Sequence, residues 1–361
     1  MKKILIISHW YYPHNVPRAF RAKALYEDLI NKGHDVDLLI GNQKVFLKKD
    51  EYDLEKFEIP KKSNTLNKKF KGRLFEKIKE IIFYFIGDRF LFTSGKHIYK
   101  NIDFENYDGV ISLGLPFYIN FITALKKKLT KSNTTLITEW SDPFYGTKDI
   151  KIAPYFNYIQ KKVCSISSYV VIPTIAALPY FLKYKDEKKI KIIPQAFDFS
   201  NIKISDYKKN EVPTFGFAGL FYKDIRNPEK LLESLSSIDI PFKFVVYTVT
   251  RGRIFDEVLL KYKNILGDKL EINSLIPRED CLKKLSEMEF LINIDNLSSN
   301  QVPSKLIDYA LTKRPILSFK QDEIDIEILK SFIDGVYDNS LYLDIEKYNI
   351  KHRSNDFLEL I

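Results

Sequence analysis

Apolar residues fall in short β-rich blocks, and the stretches between them repeat at helical spacing. Ile4 to Ile7 is a continuous apolar run, the pattern of a strand buried on both faces of a parallel sheet. A loop from His9 to Val16 follows, in which Asn15 can cap a helix that carries Pro17 in its first turn. Phe20, Ala24, Leu25 and Leu29 recur at helical spacing, and Gly33 stands where a helix-ending glycine belongs. Val36 to Ile40 reads as the next strand, which completes a βαβ unit. Further strands are predicted at Gly109 to Leu113, Thr135 to Thr138, Tyr169 to Ile172 and Ile190 to Ile193. Such alternation predicts an α/β fold, a parallel sheet with helices on both faces.

Between Phe197 and Val212 the pattern lapses into a polar, charged stretch, which reads as an interdomain linker. It then restarts, with strands at Thr214 to Ala218, Phe242 to Tyr247, Leu270 to Asn273, Phe290 to Ile294 and Pro315 to Phe319, and a helix at Pro228 to Ser236. The expected organisation is therefore two doubly wound Rossmann-like domains, residues 1–200 and 212–345. A tail, 346–361, is expected to pack back on the first. A length of 361 residues fits two cores.

Composition narrows the function classes. Only Cys164 and Cys281 are available as thiols and no H-x-x-x-H pair occurs, so neither a disulfide framework nor a metal site is expected. The run Ile4 to Ile7 is too short for a secretory core, and Ile81 to Ile86 too short to cross a bilayer. The expected location is cytoplasmic, at the inner face of the membrane. A net charge of +10 favours an anionic partner, whether nucleic acid, anionic lipid or a phosphorylated small molecule.

Candidate chemistry concentrates at Val302-Pro303-Ser304-Lys305-Leu306-Ile307-Asp308-Tyr309-Ala310, followed by Lys313-Arg314-Pro315-Ile316-Leu317. A helix opening here presents unpaired N–H groups to an anion, and Ser304 and Lys305 add a hydroxyl and a cation. Asp308 lies one turn along on the same face. The same spacing also suits a solvated Lys305–Asp308 pair on an ordinary helix. Upstream, Phe215-Gly216-Phe217-Ala218-Gly219-Leu220 and Arg226-Asn227-Pro228-Glu229 form a strand, a glycine turn and a helix start. Gly219 lets backbone approach a ligand closely. Arg226 is either a phosphate cation or a surface residue near a helix start.

These two segments resemble the retaining GT-B glycosyltransferases of the family 4, group 1 type, two Rossmann-like domains facing each other across a cleft. The resemblance implies that Ser304, Lys305 and Arg226 neutralise the donor diphosphate, that Asp308 holds the ribose, and that the loop at Ile276 holds the base through backbone groups. Asn300 stands where the family usually has a carboxylate touching the transferred sugar, Leu220 where many members have Arg, and Lys313 where a helix-ending glycine is usual.

In the first domain His9, Arg18 and Arg21 follow the first strand, so the carboxyl-end rule for parallel sheets places them near the cleft, and the resemblance implies that this is the acceptor side. Asn120 sits where some members have His. Trp140-Ser141-Asp142-Pro143-Phe144 resembles the family's R-D-P-W turn, which makes Asp142 a candidate acceptor contact; Asp-Pro is equally a structural turn. The basic, aromatic stretch Lys61 to Lys100 suits an anionic membrane surface, or an amphipathic helix packed on the domain with its basic face in solvent.

The implied activity is transfer of a sugar, with retention and without metal or cofactor, from a nucleotide-sugar substrate to a glycan or lipid-linked acceptor in surface polysaccharide synthesis. No nucleic-acid partner is expected, because no recognition motif is present. The alternatives are a sugar-nucleotide epimerase of the same fold and a non-catalytic binder of nucleotide-sugars or other anions.

Overall fold

The computed structural model describes residues 1–14, 16–48, 73–146, 151–200, 202–224, 226–295 and 304–361, with the side chains of 73–76 and 304 outside that description. It divides into two units, Met1–Asp198 with Lys347–Ile361, and Phe199–Glu346.

The strands of the first unit are β1 (Lys3–Ser8), β2 (Asp35–Ile40), β3 (Val45–Leu47), β4 (Gly109–Leu113), β5 (Thr135–Glu139), β6 (Tyr169–Ile172) and β7 (Ile190–Ile192). They form one sheet in the order β3-β2-β1-β4-β5-β6-β7. All pairs are parallel except β2 with β3, a short edge strand that the apolar pattern does not announce. The helices are α1 (Pro17–Asn31), α2 (Arg73–Ile86), α3 (Phe90–Asn101), α4 (Tyr118–Thr130), α5 (Tyr155–Ile166) and α6 (Leu178–Leu182). Apolar clusters cover both faces of the sheet, which explains the unbroken runs in β1 and β2.

The second unit orders β8 (Thr214–Ala218), β9 (Lys243–Thr248), β10 (Leu270–Ser274), β11 (Phe290–Asp295) and β12 (Ile316–Lys320) as β10-β9-β8-β11-β12, all parallel. Its helices are α7 (Glu229–Ser236), α8 (Leu260–Leu266), α9 (Arg278–Ser286), α10 (Ser304–Leu311) and α11 (Ile326–Ile333). The chain order reverses between β8 and β11, the position at which open α/β sheets bind ligands. On one face Phe215 stacks on Phe290 with centroids 4.5 Å apart, and Phe290 meets Phe332 edge-on.

Several local expectations change. Val16, not Asn15, precedes α1 and makes no side-chain cap; Asn15 lies outside the described residues. Pro17 suffices as a start because its missing N–H is one the first turn could not satisfy. The polar stretch after Phe197 is not a free linker. Ser205, Tyr207, Asn210 and the Thr214 N–H all bond to Ser286, Glu287 or Glu289, so these carboxylates strap it to the second unit. Lys313 does adopt φ +58°, the left-handed conformation that favours glycine.

The last helix, α12 (Ile350–Leu358), belongs to the first unit. Its Ile350 and Phe357 join the cluster over β1 and β2. Lys32 at the end of α1 donates to the Lys351 carbonyl at 2.7 Å and to Asn355 at 2.8 Å.

Candidate functional site

In the second unit the site begins at the carboxyl end of β8. Gly219 has φ +137°, which only glycine adopts readily, and a Cβ there would lie 3.8 Å from Lys305 Cδ. Tyr309 locks α10 to this strand end: its hydroxyl accepts from the Ala218 N–H at 2.8 Å and donates to the Ala218 carbonyl at 3.3 Å. That clamp fixes the first turn of α10 beside the glycine.

Lys305 is the unusual residue of this turn. Its Nζ is buried without a hydrogen-bond partner among the described residues, 4.5 Å from the Phe217 ring centroid and 5.7 Å from that of Tyr309. Burial, then the positive charge of Arg226, pull its pKa well below the ordinary lysine value; Asp295 opposes them. A cation in a helix's first turn also opposes the helix dipole. Arg226 ends a short turn closed by two backbone bonds to Tyr222, and its guanidinium donates to the Leu220 carbonyl at 3.3 Å. Burial lowers its pKa as well. The structure thus brings Gly219, Arg226 and Lys305 together.

Asp308 is already engaged. Arg278, the first residue of α9, donates to its Oδ1 at 3.0 Å from Nε and 2.5 Å from Nη2. This replaces the simple Lys305–Asp308 pair that sequence spacing allows. Burial pushes the Asp308 carboxyl up, with the Arg278 guanidinium opposing. Both bonds fall on Oδ1, and the side chain keeps 28% exposure, so Oδ2 is available as an acceptor. Ile276, just before α9, packs against the cluster that holds Leu306 and Tyr309. Asn300 and the Ser304 side chain lie outside the described residues, although Ser304 does open α10.

The first unit gathers a second polar cluster at the carboxyl ends of β1, β4 and β5. Arg21 donates to Glu139 Oε1 at 2.5 Å and to Ser141 Oγ at 2.9 Å. Arg18 lies 4.0 Å from the Asp142 carboxylate and donates to the Leu115 carbonyl at 3.5 Å. Asp88 accepts from the Phe117 and Tyr118 N–H groups and faces Arg18; burial raises its pKa. Arg18, Arg21 and Asp142 therefore share one charged patch with Asp88 and Glu139, two acids that the sequence pattern does not single out. Glu139 is a lone acid ending an apolar strand, and a charge at a strand's carboxyl end was the signal available.

Two acceptor-side candidates are not presented. Asn120 is fully buried, accepting from Ser112 Oγ at 2.6 Å and donating to the Glu139 carbonyl at 2.9 Å. Its amide is consumed in joining α4 to β4 and β5, a structural role that replaces the expected contact. His9 is 1% exposed, its Nδ1 2.7 Å from the Tyr118 hydroxyl. Burial, and then nearby His14, lower its pKa to about 4, so it is neutral at physiological pH.

No known family model and no curated protein matches the chain. Solved structures do match over almost all of it. The lipopolysaccharide outer core galactosyltransferase WaaB, in its apo form, aligns at TM-score 0.59 and 10% identity over 99% of this chain and 98% of that one. HepE of Anabaena, in complex with UDP and glucose, aligns at 0.57 and 9% over 99% of each chain. The chain has the GT-B fold. A putative UDP-N-acetylglucosamine 2-epimerase from Listeria monocytogenes aligns at 0.57 and 13%, over 99% of this chain and 94% of that one, so the GT-B fold alone does not choose between transfer and epimerisation. In this GT-B chain the charged patch sits at the carboxyl end of the first sheet, and the Gly219–Arg226–Lys305 cluster at that of the second. Phe199–Glu346 contains no histidine.

Proposed function

We propose that the chain is a glycosyltransferase that moves a sugar from a nucleoside diphosphate sugar to a glycan or lipid-linked acceptor, with retention, as part of surface polysaccharide synthesis. The observation that carries this reading is the buried ammonium of Lys305, unpartnered among the described residues, in the first turn of α10 beside Gly219 and Arg226. A desolvated cation without a hydrogen bond is costly, and an anion at that place removes the cost. A diphosphate suits it: one group on the backbone N–H groups of α10, with Lys305 and Arg226 as counter-charges. Asp308 Oδ2 accepts from the ribose hydroxyls, the Ile276 loop carries the base, and Asn300 touches the transferred sugar. Negative charge developing on the leaving diphosphate is stabilised by these protein cations, without metal or cofactor. The bond from the sugar's anomeric carbon to the phosphate oxygen breaks as the bond to the acceptor oxygen forms on the same face. The acceptor's proton passes to the leaving phosphate. Arg18 and Asp142 orient the acceptor. The buried His9 and the Arg21–Glu139 pair support that loop.

Thermal shift against a panel of nucleoside diphosphates and their sugar conjugates tests the reading. Stabilisation by a nucleotide, lost in Lys305→Ala and Asp308→Ala, is the expected result. No response to any nucleotide, with tight binding of RNA instead, sinks it.

The acceptor side carries a membrane reading as well. Ile78, Ile81, Ile82, Phe85 and Ile86 recur at i, i+3, i+4, i+7 and i+8 on α2 and are each 42–57% exposed. The helix is tethered at its end, where Phe83 packs edge-on to Phe144 and the Tyr84 carbonyl accepts from the Ala153 N–H. Among the described residues its apolar stripe faces outward and is not packed on the domain; residues 61–72 of that basic stretch lie outside the described residues. No described helix is long and apolar enough to cross a membrane. An outward apolar stripe beside exposed Lys77, Lys79, Arg89, Lys96 and Lys100 suits the surface of an anionic bilayer on its cytoplasmic face. Ile81→Ser/Phe85→Ser is expected to keep the wild-type melting temperature and to release the protein from phosphatidylglycerol vesicles at least tenfold. Unchanged sedimentation with those vesicles rules the contact out.

A further inference from the structure

A cavity of about 320 Å³ opens at the carboxyl ends of β11 and β12, lined by Asp295, Ser318, Lys320, Glu323 and Asp325 with Ile328 on its apolar wall. That volume falls at the lower end of the range for small-ligand pockets, about 300–1,000 Å³. Its carboxylates are not equivalent. Glu323 is held by Lys320 at 3.0 Å. Asp325 caps α11, accepting from the Glu327 and Ile328 N–H groups. Asp295 makes no hydrogen bond and no ion pair among the described residues, although it ends a strand whose interior is otherwise buried.

The cavity adjoins the turn that carries Arg226: Gln321, next to Lys320, accepts from the Asn227 N–H at 2.9 Å and donates to the Asp224 carbonyl at 3.2 Å, and the Asp295 charge acts on both Arg226 and Lys305. Asp295 is the residue shared by the cationic site and the cavity. Two places along β11, on the same face, Asn293 donates through Nδ2 to Ser318 Oγ at 2.7 Å, leaving its buried Oδ1 without a partner among the described residues. The two halves of this region therefore differ in what they can hold. Arg226 and Lys305 attract phosphate. Asp295, with Glu323 and Asp325 across the cavity, repels phosphate and accepts from hydroxyl groups.

We propose that Asp295 and this cavity form the subsite for the sugar of the donor, with the Asp295 carboxylate accepting hydrogen bonds from sugar hydroxyls. The inference rests on the nucleotide-sugar reading above and assigns the residue that separates a nucleotide-sugar from a bare nucleoside diphosphate.

Titration calorimetry with UDP, GDP, UDP-glucose and GDP-mannose on the whole chain tests it. In Asp295→Asn, affinity for the nucleoside diphosphate is expected to stay within threefold of wild type or to tighten, because a negative charge near the phosphates is gone. Affinity for the preferred sugar conjugate, relative to its diphosphate, is expected to fall at least tenfold. Ile328→Phe, which narrows the cavity without altering a charge, is expected to show the same selective loss, and it keeps the test open should Asp295→Asn unfold. Equal weakening of both ligand classes in Asp295→Asn makes Asp295 a counter-ion of Arg226 and Lys305 and overturns the assignment. So does an unchanged preference in either variant when wild type shows one. Wild-type protein that binds none of the four overturns the parent reading instead.

Discussion

Lys305 combines three unfavourable circumstances: a buried Nζ without a hydrogen bond among the described residues, the like charge of Arg226, and a position in the first turn of a helix. Its stability and function should therefore oppose each other. Lys305→Met is expected to raise the unfolding free energy by about 1–2 kcal/mol, the scale of an unsatisfied buried polar group. The same change should abolish stabilisation by nucleoside diphosphate. Melting scans with and without ligand measure both, and a destabilised variant would refute the account. His9 offers a second residue-scale test. Burial holds its pKa at about 4, below 6.5 for an exposed imidazole, so between those values the unfolded chain binds a proton that the folded chain does not. Its contribution to stability is complete above pH 6.5 and is lost as pH falls towards 4. His9→Asn should lose stability less steeply than wild type across that window when melting temperature is followed against pH. Of these residues, Lys305 was legible as a phosphate candidate from its motif. Its burial was not, because Phe217 and Tyr309 reach it only through the packing of α10 on β8.

Elements divide between those that follow from local pattern and those that do not. β4, β6 and β8 coincide with their apolar runs, since a strand covered on both faces must be apolar throughout. α1 ends where Gly33 adopts φ +84°. With only 13 glycines in the chain, other helix ends make do with side chains: Lys131 after α4 and Lys313 after α10 both sit at positive φ. Lys313→Gly removes the Cβ conflict, roughly 1–2 kcal/mol, against about 0.5–1 kcal/mol of added unfolded-state entropy. A net gain of up to about 1 kcal/mol is expected by chemical denaturation, and a loss would show that the Lys313 side chain has a compensating role. β3 is not announced by the apolar pattern, and for the stripe of α2 the pattern left two readings open, a membrane surface and a packed amphipathic helix. Periodicity tells which residues share a face and not whether that face meets protein or solvent.

At the scale of the molecule, each unit closes its own core, and the first does so with the end of the chain. Phe357 and Ile350 of α12 complete the cluster over β1 and β2, and Ser354 donates to Asp28 at 2.5 Å across 326 positions of sequence. A side chain on Gly109 would run into Ile361 at 2.6 Å, so the terminal residue lies directly on β4. Phe357→Ala is expected to cost about 3–5 kcal/mol, the range for a buried Phe. Both tryptophans, Trp10 and Trp140, belong to the first unit, so intrinsic fluorescence reports that unit. The fluorescence midpoint in urea should fall sharply in the variant; an unmoved midpoint would mean that α12 contributes little to this core.

The sequence by itself determined the α/β class, most strands to within a residue or two, and the segments that carry Gly219, Arg226, Lys305 and Asp308. These depend on interactions within a few residues, which periodicity and turn chemistry report. Tertiary structure alone decided that Arg278 holds Asp308, that Glu139 holds Arg21, that Asn120 is consumed in the core and that Asp295, without a hydrogen bond among the described residues, lines a cavity. Each of these depends on groups distant in the chain, whose pairing is set when helices dock on a sheet and exclude water. No local pattern encodes that step.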